Sequence, residues 1–311
     1  MKSILPFSLP GKFWRGNLHT HSNLSDGALP LETVVNAYKK AGYDFVAMTE
    51  HFIEHFNWPI ADTKPLRSKD FTTILGAELH APETSAGELW HILAAGLPPD
   101  FPANKKGETG PELAIRARAA GAFVGIAHPA WSQLTIEDGR ALLSSAHAVE
   151  IYNHGCAVEN DRGDGWYLAD QLLTEGNRLT AFATDDAHFK NHDYFGGWVH
   201  VKSQSLEPEA LLAALKAGHY YASQGPIFND IRMAGKHIEI DCSPVDFITV
   251  VCGTSRSCVE AGKAITGAKF DLAKLEQGWL LNKTSPWFRV TILDHAGKRA
   301  WSNPIWWDEL A

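Results

Sequence analysis

The sequence has few sulfur-containing residues and no long apolar run. Only four cysteines and three methionines occur among its 311 residues, and no two cysteines have the C-x-x-C spacing. We therefore predict four reduced thiols in a cytoplasmic protein rather than a disulfide framework. No apolar run approaches the ~20 residues of a membrane span, and residues 1–13 lack the continuous apolar segment of a signal peptide, so we predict no membrane partner.

Positive charge is also scarce. Lys and Arg number 28 against 36 Asp and Glu, which makes the formal net charge −8. Such a chain lacks the broad basic surface that binds duplex nucleic acid, so we predict no duplex partner. The hydrophobic fraction of 45% and the charged fraction of 21% are ordinary for a globular protein, and they exclude disorder, collagen and coiled coil.

Histidine, in contrast, is abundant, with 15 among the 311 residues. Imidazole is both a common metal ligand and a proton donor or acceptor near neutral pH. The number alone identifies no site, because scattered histidines occur on many surfaces. Their positions relative to the predicted strands and helices decide what they indicate.

Between about residues 12 and 226, short β-branched runs alternate with helical patterns. Phe13–His19 and Phe45–Thr49 are predicted strands, separated by a predicted helix at Pro30–Ala41 that Gly42 follows. This alternation predicts a parallel sheet with helices outside it. The number of strand–helix units in this length favours a closed barrel over an open sheet.

The pattern changes after Gly225-Pro226. From Ile227 onward, strand patterns follow one another without clear helices, which predicts a small antiparallel β domain packed on the barrel. We therefore predict two domains, residues 1–226 and residues 227–311.

The first candidate site is the segment His19-Thr20-His21, followed by Asp26. Residues i and i+2 of a strand point to the same face, so His19 and His21 can reach one metal ion together. Asp26 follows after a short loop and can fold back to the same place. Imidazole with carboxylate suits Zn, Mn or Fe. A lone H-x-H pair would more simply be two unrelated histidines.

The same arrangement recurs at later strand ends. Each instance lies where an apolar run gives way to polar residues, and in a parallel barrel all these ends meet at one mouth. The simpler alternative is that these histidines are buried in the core with ordinary hydrogen-bond partners. That alternative does not explain why they recur at successive strand ends, and buried polar groups without partners are rare. Asp185 competes with Asp186, but the D-x-H spacing favours Asp186. The further candidates are His51, Glu78, His91, His128, Asp186 and His188.

Together these motifs resemble the PHP (polymerase and histidinol phosphatase) superfamily over most of residues 14–226, in the expected order. A finer resemblance is to the carbaryl-hydrolase-like (CehA/McbA) branch, through Tyr-Ala-Ser-x-Gly-Pro at 221–226 and Trp-Ser-Asn-Pro-Ile at 301–305. The resemblance implies an α/β fold, a distorted (β/α)7 TIM-like barrel. It also implies two or three divalent metal ions (Mn, Fe or Zn) and a small-molecule phosphate ester as substrate.

Carried onto this chain, the resemblance implies that Glu78 bridges two metal ions, as a carboxylate with two oxygens can. Glu50 stands where many family members carry Asp, and we expect it to be a hydrogen-bond partner rather than a ligand. His80, at i+2 from Glu78, is set aside as a non-ligand. The full ligand set is His19, His21, Asp26, His51, Glu78, His91, His128, Asp186 and His188.

The implied reaction is hydrolysis. A water bridging two cations loses a proton near neutral pH, and the resulting hydroxide attacks phosphorus in line. The leaving group then needs a proton or a compensating charge. His128 or His188 would supply it, or else His154 or His192 near the mouth, and the sequence does not choose among them.

Substrate binding is predicted for Asn153, His154, His192 and Lys202, which follow or lie near strand ends.

Two other functions remain open. The same hydroxide can attack carbon in a carboxylic or carbamate ester, which would call for fewer cations and a more apolar wall. The third possible function is that of a non-catalytic metal-binding domain. Superfamily members that have lost activity also lack metal ligands, whereas all nine predicted ligand positions are filled in this sequence.

Overall fold

The computed structural model describes residues 1–276 and 284–310. Strands and helices alternate up to residue 223, and strands dominate beyond it. The strands are β1 Lys2–Ser3, β2 Lys12–Asn17, β3 Phe45–Met48, β4 His51–Phe52, β5 Thr72–Ala81, β6 Trp90–Ala95, β7 Phe123–Ile126, β8 Ala148–Asn153, β9 Thr180–Thr184, β10 Trp198–Ser203, β11 Tyr220–Ser223, β12 Phe228–Ala234, β13 His237–Cys252, β14 Ser257–Asp271, β15 Trp287–Leu293, β16 Arg299–Trp301 and β17 Ile305–Trp306. The α-helices are α1 Leu31–Lys40, α2 Gly110–Ala119, α3 Ile136–Ala141, α4 His154–Asn160, α5 Trp166–Thr174, α6 Pro208–Lys216 and α7 Ala273–Glu276.

Local sequence signals account for several helix ends. The predicted helix at 30–41 is confirmed as α1. Helix α2 begins with a capping box, in which the side chains of Thr109 and Glu112 each accept a hydrogen bond from the other's backbone N–H. Gly121 and Gly176 follow α2 and α5 with φ of 96° and 92°, a left-handed conformation that costs glycine little.

The sheet that precedes residue 226 is mixed, not parallel throughout. Strands β2, β3 and β5 pair in parallel, and so do β7, β8 and β9. Strand β6 runs antiparallel to both β5 and β7, and β10 runs antiparallel to β2 and β11. The link from β5 to β6, residues 82–89, is shorter than the dozen or so residues that a parallel crossover needs.

The predicted closed barrel is not confirmed. Within the described residues, no backbone ladder joins β9 to β10, so the sheet is open between these two strands. The fold is mixed α/β with a large sheet, and the expectation of uniform parallel pairing was wrong at β6 and β10. Most of the strands from β2 to β9 still direct the same ends to one side of the sheet, which is what positions the site.

The strands after residue 226 are antiparallel, as predicted. β13 pairs with β12, β14 and β15, and Ile231, Ile248 and Phe288 are among the buried side chains that join them. Two ladders that the sequence did not predict connect this part to the rest, β1 with β12 and β11 with β16. The domain boundary at residue 226 stays a prediction. No helix in the described part of the chain is long and apolar enough to cross a bilayer.

Candidate metal centre

All nine predicted ligand residues converge at one end of the sheet. β2, β3, β5, β7 and β9 share one direction, so the residues that follow them lie at the same end. His91 joins them because β6 is antiparallel and His91 is near its start. The nine occur in five overlapping groups of His, Asp and Glu, within each of which the ligand atoms lie within 4.8 Å of one another.

Glu78 lies at the centre of the cluster, on the fully buried strand β5. Its Oε1 is 2.7 Å from His91 Nδ1 and 2.9 Å from His128 Nε2. Its Oε2 is 2.7 Å from His51 Nδ1 and 3.7 Å from His21 Nε2. Each oxygen thus faces a different pair of imidazoles, which is the arrangement expected of a carboxylate that bridges two ions.

Asp186 faces the same centre from the end of β9. Its Oδ1 is 2.9 Å from His21 Nε2 and 3.3 Å from His19 Nε2. His19 Nε2 in turn lies 3.6 Å from Glu78 Oε1. The i, i+2 pair His19 and His21 therefore does place both imidazoles against one group of carboxylates, as its spacing predicts.

A third group lies nearer the surface, around Asp26. Asp26 Oδ1 is 3.3 Å from His51 Nε2 and 3.2 Å from His188 Nε2. The ring of His21 stacks on both of these histidines, with centroid distances of 4.2 and 4.3 Å. Four candidate ligands from three segments of the chain are thus within reach of one ion.

The protonation of these side chains is strongly coupled. Although burial acts against it, the charges of Glu78 and Asp26 raise the pKa of His51 to about 10. Burial and the neighbouring His51 and His188 lower the pKa of His21 to about 3. Burial alone would raise the pKa of Glu78, but the surrounding histidines hold it well below its usual range. Cationic imidazoles therefore neutralise the carboxylates where no metal ion does so.

Whether metal ions fit this cluster can be judged from its unsatisfied atoms. Within the described residues, four buried atoms of the cluster lack a well-aligned hydrogen bond, although the two carboxylate oxygens among them face imidazole nitrogens: His19 Nε2, His21 Nδ1, Asp26 Oδ1 and Glu78 Oε2. Buried polar groups without partners are costly and rare. Nitrogen and oxygen donors at these spacings are a suitable set for Mn, Fe or Zn, so the residues fit divalent ions.

Glu150 supports the centre from β8. Its Oε1 is 3.2 Å from His19 Nδ1, and its Oε2 accepts a 2.6 Å hydrogen bond from the backbone N–H of His128. Asn153 donates to both Glu150 Oε2 and Asp186 Oδ2, each at 3.1 Å. These bonds orient three candidate ligands, as hydrogen-bond partners of metal ligands commonly do.

The structure also separates the ambiguous acids from the ligands. Glu50 accepts hydrogen bonds from the N–H of Ser22 at 3.0 Å and from the hydroxyls of Ser22 and Ser25. It thereby holds the loop that carries Asp26, as a supporting residue would. Asp185 accepts from the Tyr38 hydroxyl at 2.8 Å and from backbone N–H groups, and it belongs to none of the ligand groups.

His80 is a site residue that the sequence reasoning set aside. Its Nδ1 lies 3.1 Å from the carbonyl oxygen of Trp90, and its Nε2 lies 2.8 Å from His51 Nδ1 and 3.6 Å from Glu78 Oε2. The available signal was its position two residues after Glu78 on the same strand face. Spacing could not show that His51 would lie within hydrogen-bonding distance of it.

Two candidate ligands have an unusual backbone. His128 and Asp186 have φ of 21° and 53°, in the left-handed region that residues other than glycine rarely adopt. Each lies two residues beyond the end of a buried strand, β7 or β9, where the chain turns to bring the side chain over the end of the sheet. Backbone conformations of this kind concentrate at functional sites, where the surrounding structure holds them in place.

The four predicted substrate-binding residues lie in different surroundings in the structure. Asn153 is fully buried, and its amide is used by Glu150, Asp186 and the N–H of Cys156, so it positions ligands and is not free to bind substrate. Lys202 was misplaced: its Nζ lies 4.7 Å from the ring centroid of Phe13, near the start of β2 and away from the His19 end.

The other two are hydrogen-bonded to tyrosines. His154 Nδ1 lies 2.9 Å from the Tyr152 hydroxyl at the end of β8, and His192 Nδ1 lies 3.0 Å from the Tyr194 hydroxyl on an exposed loop. No contact of either ring with a candidate ligand is found among the described residues. Their substrate-binding role stays a prediction.

Aromatic rings and one lysine surround the cluster. Trp131 packs on His91 and His128 with centroid distances of 5.2 and 5.1 Å. Phe56 stacks on His51 at 6.1 Å, and Lys190 Nζ lies 3.1 Å from Asp26 Oδ2. A substrate that reached the cluster would therefore meet apolar walls and the ammonium group of Lys190.

Metal binding is expected to release protons, and apparent affinity should rise with pH. His51 has a pKa of about 10 without metal, so at neutral pH an ion must displace a proton from it. Affinity should rise about tenfold per pH unit for the proton that leaves His51, up to its pKa of about 10. Calorimetric titrations in two buffers of different ionisation enthalpy would count these protons. A pH-independent affinity would contradict this picture.

No family model and no curated protein sequence matches this chain. Among solved structures, it is similar to a two-domain protein from Bacteroides vulgatus that contains a predicted PHP-like metal-dependent phosphoesterase. That likeness has a TM-score of 0.54 at 16% identity and covers 94% of each chain.

An amidohydrolase from Chromobacterium violaceum with bound sulfate and no metal is similar with a TM-score of 0.40 at 15% identity, over 56% of this chain and 87% of that one. This weaker likeness adds nothing to the assignment. At 16% identity the likeness to the Bacteroides protein shows the fold and not the activity. The chain therefore shares the fold of this two-domain Bacteroides protein.

Proposed function

We propose that this chain is a metal-dependent hydrolase of phosphate esters with a di- or trinuclear site. The observation that carries the proposal is the convergence of nine His, Asp and Glu side chains in one cluster, with the buried carboxylate of Glu78 at its centre. Bound divalent ions would neutralise the charge of a phosphate group and lower the pKa of a coordinated water. The same proposal takes residues 1–226 as the catalytic domain and 227–311 as an accessory domain.

The roles of the side chains follow from their contacts. Glu78 and Asp186 supply negative charge at the centre, and Glu150 and Asn153 keep the ligands in orientation. Lys190 is the nearest cation that could meet an anionic group of the substrate, once it separates from Asp26.

We propose His128 and His188 as ligands rather than as proton donors. His128 Nδ1 lies 3.0 Å from the Ser132 hydroxyl while Nε2 faces Glu78. His188 Nδ1 lies 2.9 Å from the carbonyl oxygen of Asp186 while Nε2 faces Asp26. Because both nitrogens of each ring are engaged, neither has a free position from which to protonate a leaving group.

The direct test compares three substrates on protein loaded with Mn, Fe or Zn: p-nitrophenyl phosphate, bis-p-nitrophenyl phosphate and p-nitrophenyl acetate. We expect hydrolysis of a phosphate ester that requires metal and is lost on chelation, because phosphate chemistry depends on charge neutralisation. Protein with at least two equivalents of metal that cleaves none of the three would contradict catalysis and favour a metal-binding role.

Hydrolysis of carboxylic or carbamate esters is the second candidate. The aromatic walls formed by Trp131 and Phe56, with Lys190 as the one side-chain cation described beside the cluster, favour it. In the same assay it would appear as faster turnover of p-nitrophenyl acetate than of both phosphate esters. The finer resemblance to the CehA/McbA branch is compatible with either outcome and stays a prediction.

A further inference from the structure

A cavity of about 660 Å³ lies at the end of the sheet opposite the metal centre. Thr180 and Tyr220, the first residues of β9 and β11, line it, whereas Asp186 lies beyond the last residue of β9. Along a strand, six residues span about 20 Å, so this cavity is separate from the metal centre. Its volume is within the range of about 300–1,000 Å³ that is usual for small-molecule sites.

Positive charge lines this cavity in a protein whose net charge is −8. Lys2, Arg118 and Lys216 contribute to the wall, and none of them pairs with a carboxylate within the described residues. Glu309 is the one acid of the described wall, and its Oε1 already lies 2.6 Å from Arg178 Nη1. The cavity therefore has an excess of about three positive charges that the protein itself does not neutralise.

Two of these cations are held in place by backbone carbonyls. Arg118 Nη1 donates to the carbonyl of Ser145 at 2.9 Å, and Lys216 Nζ donates to the carbonyl of Gly121 at 2.9 Å. These bonds restrict the side chains without cancelling their charge. Both retain further N–H groups for an anion, since a guanidinium has five and an ammonium three.

His147 lines the same cavity, near enough to both cations for their charges to act on it, and has one free donor. The backbone N–H of Val124 donates to its Nδ1 at 3.0 Å, which leaves the proton of the neutral ring on Nε2. Burial, together with the charges of Arg118 and Lys216, lowers the pKa of His147 to about 4, so the ring is neutral at neutral pH. Nε2 has no hydrogen-bond partner among the described residues.

Another part of the wall is apolar. Phe7, Ile231, Met233 and Trp306 line it, from the N-terminal segment and the strands after residue 226. An occupant that suits both parts of the wall carries an anionic group at one end and an apolar body at the other.

We propose that this cavity is a second ligand site that binds an organic anion, with a carboxylate or phosphate group contacting Arg118, Lys216 and His147. Both head groups offer the same chemistry to these residues, namely negative oxygens that accept charge-assisted hydrogen bonds. The site is independent of the function proposed for the metal centre, because none of its residues belongs to that cluster.

The test uses metal-loaded protein and three probes that share an aromatic ring: benzoate, phenylphosphonate and the neutral benzyl alcohol. We expect at least one anion to bind, to shift the ring resonances of His147, and to bind more tightly than benzyl alcohol. Resonances are assigned with His147→Gln. Benzoate and phenylphosphonate distinguish a carboxylate site from a phosphate site.

Arg118→Gln and Lys216→Gln should each weaken binding about tenfold or more, the usual effect of losing a charge-assisted hydrogen bond. Lys40→Gln is the matched control, because Lys40 also lies exposed in the last turn of a helix and changes the net charge equally. Metal content and hydrolysis should stay unchanged in all three, which separates this site from the metal centre.

Three results would overturn the proposal. One is that neither anion perturbs His147 at millimolar concentration. Another is that Lys40→Gln weakens binding as much as Lys216→Gln, which would indicate a general charge effect. The last is that benzyl alcohol binds as tightly as both anions, which would show that the cations do not recognise the ligand.

Discussion

Replacing Glu78 with Gln is expected to abolish turnover and to lower metal content at the same time. Glu78 is fully buried, and its two oxygens contact histidines on different sides of the cluster. The amide nitrogen of Gln has no lone pair available to donate to a metal ion, so one of the two positions loses its ligand. Substituting a residue that only supports a metal ligand lowers metal affinity or activity about 10–100-fold. Because Glu78 is a predicted ligand itself, we expect Glu78→Gln to lower metal affinity at least about 100-fold.

The measurement is metal content by elemental analysis after dialysis, together with turnover of the best phosphate ester. Glu108→Gln is the matched control: Glu108 is also buried, but it pairs with Arg116 beside α2, outside the cluster. Unchanged activity in Glu78→Gln would exclude the bridging role. Lost activity at full metal content would assign Glu78 a chemical role instead.

Chelating the metal ions is expected to lower the thermal midpoint of unfolding by roughly 8 °C, the largest stability effect that we predict. An ion that binds only the folded chain, present at 1,000 times its Kd, stabilises it by about 4 kcal/mol. In a chain of this size each kcal/mol corresponds to roughly 2 °C. His19 Nε2 and His21 Nδ1 then remain buried without a hydrogen bond, which adds to the loss.

The experiment compares thermal unfolding before chelation, after it, and after metal is restored. Adding back Zn or Mn should recover the midpoint. Ca²⁺ should not, since it prefers six to eight oxygen ligands and this cluster is rich in imidazole. Equal midpoints with and without chelator would argue against metal binding by the folded cluster.

Much of the centre could be predicted from the sequence because strand geometry is local. His19 and His21 are two residues apart, so the alternation of a strand places both on one face. The same rule favoured Asp186 over Asp185, and the structure points Asp186 into the cluster while Tyr38 binds Asp185. Position at a strand end therefore predicted which side chains would gather.

Contacts between segments far apart in the chain could not be predicted from the spacing of residues within a strand. His80 was set aside although it lies 2.8 Å from His51, because no spacing rule relates β4 to β5. Lys202 was expected at the mouth, but β10 runs antiparallel to β2 and carries it toward the opposite end. Asn153 was expected to meet substrate, but its amide is already engaged.

The 15 histidines and their strand-end contexts determined, from the sequence alone, that this chain concentrates metal-ligand chemistry at one edge of an α/β sheet. Only the tertiary structure decided the direction of β6 and β10, the open gap between β9 and β10, and the placement of Glu78 between its histidines. The reason is physical: side-chain alternation is set by neighbouring residues, whereas strand direction and pairing depend on packing between distant segments.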